Sequence, residues 1–193
     1  MFRKIAALVV SLIALPMAVN AAVIQLPKTG QSLCYDAAGT EIACDGTGQD
    51  GEKQLGVAWP QPRLVENGDG TVTDNLTGLV WLQNANCFDV VPWAEAFREA
   101  SELSDGECGL VDGSAVGQWR LPNIKELQSL MDISGTRDAL PAEHPFTGIA
   151  YSYWSSTTHA VYTASGWVAI HDGSVRSTPK EGSFHVWPVR NGQ

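Results

Sequence analysis

The chain has 193 residues, with 12 Lys and Arg against 21 Asp and Glu, for a formal net charge of −9. A hydrophobic share of 44% and a charged share of 17% exclude a disordered or collagen-like polymer. The acidity argues against nucleic acid or an anionic membrane as partner, because binding phosphates needs a dense basic patch. The length fits one domain, or one domain with a small appendage.

Arg3 and Lys4 precede an apolar run over residues 5–15, which Pro16 breaks. Val19 and Ala21 then supply small residues at the −3 and −1 positions of a cleavage site. The run is too short to cross a hydrocarbon core that needs ~20 apolar residues. Residues 1–21 are therefore expected to be a cleaved signal peptide, and the protein to be secreted or periplasmic. The residue directly after the site is Ala22 and not Cys, so a lipid anchor is not expected. Loss of Arg3 and Lys4 raises the excess of acids over bases from nine to eleven.

Four cysteines follow: Cys34, Cys44, Cys87 and Cys108. An even count in an exported chain predicts two disulfides, with three possible connectivities. The sequence-local pairing, Cys34 with Cys44 and Cys87 with Cys108, is preferred because each pair brackets one compact segment. The rival is zinc, which needs clustered ligands such as C-x-x-C with nearby His, and these spacings lack them.

Residues 22–62 are rich in Gly, Thr, Gln and Asp and are expected to form an irregular, disulfide-bridged N-terminal segment. Leu26-Pro27-Lys28-Thr29-Gly30 matches a sortase pattern, but it lies near the N-terminus with the domain still to follow, so coincidence is the better reading. From residue 63 to 193 a regular domain is expected. Asn67-Gly68-Asp69-Gly70 and Asp74-Asn75-Leu76-Thr77-Gly78 are turn clusters around Thr71-Val72-Thr73 and Leu79-Val80-Trp81-Leu82, predicting a β-hairpin. The first cluster invites a calcium reading, but Val65 and Leu76 occupy positions where an EF-hand loop needs acids.

A helix is predicted over 92–103, with proline in its first turn and a stripe of Trp93, Phe97, Ala100 and Leu103. Glu95, Glu99 and Glu102 fall on its opposite face and read as solvated surface. A second helix is predicted over 123–132, with Asn123 as N-cap, Glu126 as its capping-box partner, and Ile124, Leu127, Leu130 and Met131 as the buried stripe. Strand patterns follow at 153–156, 166–170 and 183–187, with Asp172-Gly173 as a hairpin turn. A hairpin, two helices and further antiparallel strands make an α+β domain.

Several ordered strings carry a family resemblance: Asp69-Gly70-Thr71-Val72-Thr73-Asp74, Thr77-Gly78-Leu79-Val80-Trp81, Trp119-Arg120-Leu121-Pro122-Asn123, Glu126-Leu127, Tyr153-Trp154-Ser155-Ser156-Thr157 and Trp187-Pro188-Val189-Arg190. Together, from about Gly30 to Gly192, the chain resembles the C-terminal domain of the Legionella collagen-like protein family. The resemblance implies an exported bacterial protein, in a family whose named member is an adhesin for sulfated polysaccharides. It also implies a C-type-lectin-like fold, related to formylglycine-generating enzymes, with two helices packed on antiparallel sheets and stapled by disulfides. This chain departs from the named member in having no Gly-X-Y repeat, and its acidity is at odds with a sulfated polyanion as ligand.

Catalytic patterns are few. His144, His159, His171 and His185 lie eleven or more residues apart without a metal-binding spacing, and isolated core or surface roles are the simpler reading. Ser155-Ser156 has no evident partner base, and no cysteine follows Cys108 to serve the paired-thiol chemistry of the enzyme branch. Trp81, Trp93, Trp119, Trp154, Trp167 and Trp187 are expected in the core. Arg120 is expected to pair with a buried carboxylate or carbonyl. The residues selected for binding are Tyr151, Tyr153, His159, Tyr162 and His171, which combine stacking faces with adaptable hydrogen bonds. The simplest alternative is that they only cover the sheet. No lectin-type calcium motif is present, so no metal or cofactor is expected. The expected function is non-catalytic adhesion to a glycan or extracellular protein, with homo-oligomerisation open. The rivals are a structural surface or filament subunit and, less favoured, a formylglycine-generating-type enzyme.

Overall fold

The computed structural model of the chain describes residues 26–134 and 139–192. The expected signal peptide at 1–21 lies outside the described residues. The segment that follows contains only short elements: β1 (Cys34–Tyr35), β2 (Glu41–Ile42) and the one-turn helix α1 (Asp50–Lys53). The Cys34–Cys44 disulfide closes the β1–β2 pair. The Lys28 N–H donates to Val57 O at 3.0 Å, so the segment folds back on itself and its sortase-like string is part of that contact.

The main domain opens with β3 (Leu64–Glu66), β4 (Thr71–Asp74) and β5 (Leu79–Leu82). The expected hairpin is β4–β5, in antiparallel register from Thr71 opposite Leu82 to Asp74 opposite Leu79. Asp74 builds its turn by accepting the Leu76 N–H at 2.9 Å and the Thr77 hydroxyl at 3.0 Å, an Asx-type arrangement. Gly70 enters β4 at φ +84°, and a Cβ there would collide with the carbonyl of Gly109.

β6 (Val91–Pro92) leads into α2 (Trp93–Glu102) and, after a loop, α3 (Ile124–Leu130). Pro92 is the N-cap of α2, one position before the expected first turn. Ala96 and Ala100 are buried, while Glu95, Glu99 and Glu102 gather around Arg98 on the outer face. The capping box of α3 is formed as expected, with Asn123 Oδ1 accepting from Lys125 and Glu126 N–H and Glu126 accepting from the Asn123 N–H. The helix ends at Leu130, two residues before the predicted end at 132. Met131 is extended, and the Asp132 N–H turns to the carbonyl of Ala139 at 2.8 Å.

The remaining elements are β7 (Ser152–Thr158), β8 (Ser165–Ile170), β9 (Val175–Pro179), β10 (Ser183–Phe184) and β11 (Val189–Asn191). All pairings between these strands are antiparallel: β11-β5-β4-β3 form one sheet, β7-β8-β9 another, and β10-β6 a short ribbon. The expected strand over 183–187 is short because β10 meets β6 only at Ser183 and Phe184. Isolated bridges join Arg120 to Val189 and Tyr153 to His185, tying the two larger sheets through the helix-entry loop and the chain that precedes β11.

Two adjoining apolar clusters fill the domain. The larger holds Trp81, Trp119, Trp187, Tyr153, Leu127 and Leu130 among others; the second packs Ala96 and Ala100 of α2 on Trp154, Val168 and Ile170. Trp81, Trp119, Trp154 and Trp187 are buried, as the core reading expects, whereas Trp93 and Trp167 are only partly covered. Three of the four buried indoles have a satisfied N–H: Trp187 donates to Leu82 O and Trp154 to Val91 O, each at 2.8 Å, and Trp119 to Ser114 Oγ at 3.0 Å, whereas Trp81 Nε1 is buried without a hydrogen-bond partner among the described residues. Arg120 pairs with Glu126 at 2.7 Å, but both side chains retain contact with solvent, so the expected buried carboxylate is a partly exposed one. The second disulfide joins Cys87 to Cys108 across α2, completing the local pairing. The architecture is mixed α+β, with antiparallel sheets, few helices and two disulfides.

Candidate functional site

The β7–β8 hairpin distributes four of the five selected residues to its two ends. Tyr151 and His171 stand just beyond the terminal pair Ser152–Ile170, and the His171 N–H extends the ladder to Tyr151 O at 2.9 Å. Facing each other across the strands, their rings meet with centroids 4.7 Å apart. At the other end, the pair Thr158–Gly166 leads to His159 and Tyr162 in the connecting loop. With a rise of ~3.3 Å per residue, the two ends are roughly 20 Å apart. The selected residues are not one site.

Tyr153, between these ends, belongs to neither. It is 2% exposed, its ring centroid is 5.0 Å from that of Trp187, and its hydroxyl accepts the Ala150 N–H. Burial raises its pKa to about 12, with the Ala150 hydrogen bond opposing the shift. The structure thus places Tyr153 in the core, where a ligand does not reach it. β7 is buried on both faces here, with Tyr153 in the larger cluster and Trp154 in the second, whereas Tyr151 precedes the strand and is exposed.

The Tyr151 end opens on a cavity of about 340 Å³ lined by His144, Ile149, Ala150, Tyr151 and His171. Tyr151 is 62% exposed, so its ring is available to a ligand. His171 Nδ1 is buried without a hydrogen-bond partner among the described residues. Two imidazoles and a phenol on an apolar floor offer stacking faces and hydrogen-bonding atoms within one concavity. His144 also lines a second cavity of about 320 Å³, which Trp59 and Arg63 separate from a third of about 220 Å³ beside Lys28 and Thr29. The second and third concavities lie along the seam between the N-terminal segment and the domain, and His144 is shared by the first and second.

Sequence reading did not select His144, Trp59 or Arg63. His144 lies 27 positions before His171, and no local spacing signals that they share a cavity. Trp59 precedes the regular domain, and its role as a wall depends on Arg63, whose guanidinium lies 4.5 Å over its ring. Among the described residues, no three His, Cys, Asp or Glu side chains gather closely enough to hold a metal ion. Asn67, Asp69 and Thr71 of the calcium-like cluster instead bond to one another and to Thr73.

The sheets, both main helices and both ends of the β7–β8 hairpin fall within residues 70–190, apart from the β1–β2 pair, β3 and the last residue of β11. Those residues match the family described as the Lcl C-terminal domain. The chain belongs to the Lcl C-terminal domain family. The match covers more than half of the chain and starts at Gly70, after Trp59 and Arg63. No curated protein matches the chain. For this Lcl C-terminal domain protein, two disulfides fit an oxidising, extracellular or periplasmic setting. None of its described helices is long and apolar enough to cross a membrane.

Proposed function

We propose that this protein is an exported, non-catalytic binding domain, built on a C-type-lectin-like scaffold, that recognises a glycan or a surface protein at the Tyr151–His171 cavity. The observation that carries the reading is the cross-strand contact of an exposed Tyr151 with His171 at the mouth of a concavity held by a rigid hairpin. Strand-end residues on a packed sheet lose little freedom on binding, which favours affinity. The exposed phenol and two imidazoles suit hydroxyl-rich ligands through stacking and hydrogen bonds. Binding is reversible and metal-independent in this reading.

A glycan array probed with the mature domain tests it. Binding is expected to survive EDTA and to fall at least tenfold in Tyr151→Ala and His171→Ala. Chelator-sensitive binding, or binding unchanged in both variants, contradicts the reading.

One observation favours a second reading, a structural surface subunit. Leu26 and Leu55 of the N-terminal segment are 77% and 74% exposed, apolar surface that a neighbouring copy could cover. Light scattering after size exclusion separates the two. Open-ended assembly without ligand supports the subunit, and a defined small species supports the binder.

A further inference from the structure

At the far end of the β7–β8 hairpin three rings overlap in sequence. His159 stacks on Trp167 with centroids 5.2 Å apart and planes 23° apart, and Tyr162 lies on the His159 ring at 5.0 Å and 34°. The row steps outward from a partly covered Trp167 to Tyr162, which is 68% exposed. Its order has a local cause. His159 Nδ1 accepts the Val161 N–H at 3.2 Å and the Tyr162 N–H at 3.0 Å, and the His159 N–H closes the loop on Ser165 O at 2.9 Å. An imidazole that accepts at Nδ1 carries its proton on Nε2. One side chain thus caps the turn and forms the middle step of the stack.

We infer that this Trp167–His159–Tyr162 stack is a second ligand site, separate from the Tyr151–His171 cavity, that takes the apolar face of a neutral sugar unit. Three arguments select that occupant. His159 is stacked on Trp167 at 23° and tilted by 34° from Tyr162, and backbone hydrogen bonds hold its ring in place, so a flat ligand face meets a surface whose middle step is already ordered. The phenol of Tyr162 and Nε2 of His159 give the stack hydrogen-bonding atoms of the kind that hydroxyls match. The three rings include no Lys or Arg side chain, and the ammonium of the neighbouring Lys180 is directed to other partners, 3.8 Å over the Trp93 ring and 2.9 Å from the Thr158 hydroxyl, which favours an uncharged ligand face on the stack. With a second site roughly 20 Å from the first, one domain holds two points of a long glycan chain, or two chains, and gains avidity over either site alone.

The inference rests on the reading of the domain as a glycan binder, and the test keeps the two apart. The mature protein is titrated with cellohexaose and with chitohexaose while the ring resonances of Tyr162, His159, Trp167, Tyr151 and His171 are followed by NMR. Movement of the Tyr162, His159 and Trp167 resonances is expected with at least one of the two. His159→Phe keeps a ring but removes the turn acceptor, His159→Asn keeps an acceptor but removes the ring, and Tyr162→Ala removes the outer step. Each is expected to weaken binding at the hairpin tip at least fivefold, with Tyr151→Ala leaving it unchanged. Shifts confined to Tyr151 and His171 overturn the second site while leaving the cavity reading intact. Tip resonances that respond to neither sugar also overturn it. Tip broadening that grows with protein concentration in the absence of sugar would assign this end to a second copy of the chain instead.

Discussion

Arg63 and Asp74 form an ion pair whose side chains are 4% and 0% exposed. The guanidinium approaches Asp74 through Nε at 3.3 Å and Nη2 at 3.4 Å, and also donates to the carbonyl of Ser129. Asp74 in addition shapes the β4–β5 turn, so one carboxylate joins the edge of the N-terminal segment, the first hairpin and the end of α3. Arg63 precedes the family match, which means the folded unit extends upstream of the matched residues.

Removing one member of a buried pair leaves the other charged and desolvated, which costs about 3–5 kcal/mol. Asp74→Ala is therefore expected to lower unfolding free energy by that amount in urea titrations. The double replacement Arg63→Met with Asp74→Leu is expected to recover much of the ion-pair loss but not the turn hydrogen bonds. A single variant no less stable than the parent would show that the pair does not hold the segment to the domain.

Gly70 tests the strand entry. Ala at φ +84° is strained by about 1–3 kcal/mol, and the collision with the Gly109 carbonyl adds to it. Gly70→Ala should lose at least that much stability, while Gly68→Ala, at φ +76° with nothing near its Cβ, should lose only the conformational part. Equal losses would place the whole effect in the backbone conformation.

The capping box predicts an acid limb. Burial opposes ionisation of Glu126, but hydrogen bonds from Arg120 and the Asn123 N–H outweigh it and hold the carboxyl below its ordinary value of 4.5. A depressed folded pKa means the stabilisation is complete above 4.5 and is lost as pH falls through the lower folded value. Arg120 is 42% exposed and solvent screens the pair, so the term is only about 1 kcal/mol. Glu126→Gln should flatten stability against pH below 4.5, and Asn123→Ala should cost about 0.5–2 kcal/mol at neutral pH. An unchanged acid limb in Glu126→Gln would remove this carboxyl from the account.

Tyr153 predicts an alkaline limb of opposite sign. Its folded pKa of about 12 exceeds the ordinary 10.0, so its contribution is complete below pH 10 and is lost as pH rises from there toward 12. In a titration of tyrosinate absorbance the last step should appear above pH 10 and vanish in Tyr153→Phe. A late step that persists in the variant would belong to another tyrosine.

Much of the local architecture was legible in the residues themselves. The capping box at Asn123 and Glu126, the turn at Asp74–Gly78, the turn at Asp172–Gly173 and the two short-range disulfides all rest on atoms close along the chain. Such features follow from short-range sterics and hydrogen bonding, which the immediate sequence determines. The ordered Trp-bearing motifs likewise identified the family before any fold was seen.

Tertiary structure alone decided what the late aromatic residues do. By composition Tyr151, Tyr153 and Tyr162 are equivalent, yet Tyr153 is buried against Trp187, 34 positions later, while the other two face solvent at opposite ends of one hairpin. His144 and His171 became neighbours for the same reason, and Trp59 became a wall of the adjoining cavities because Arg63 is anchored on Asp74. A side chain's exposure depends on which distant surface the folded sheet brings over it, and that information is spread across the whole chain.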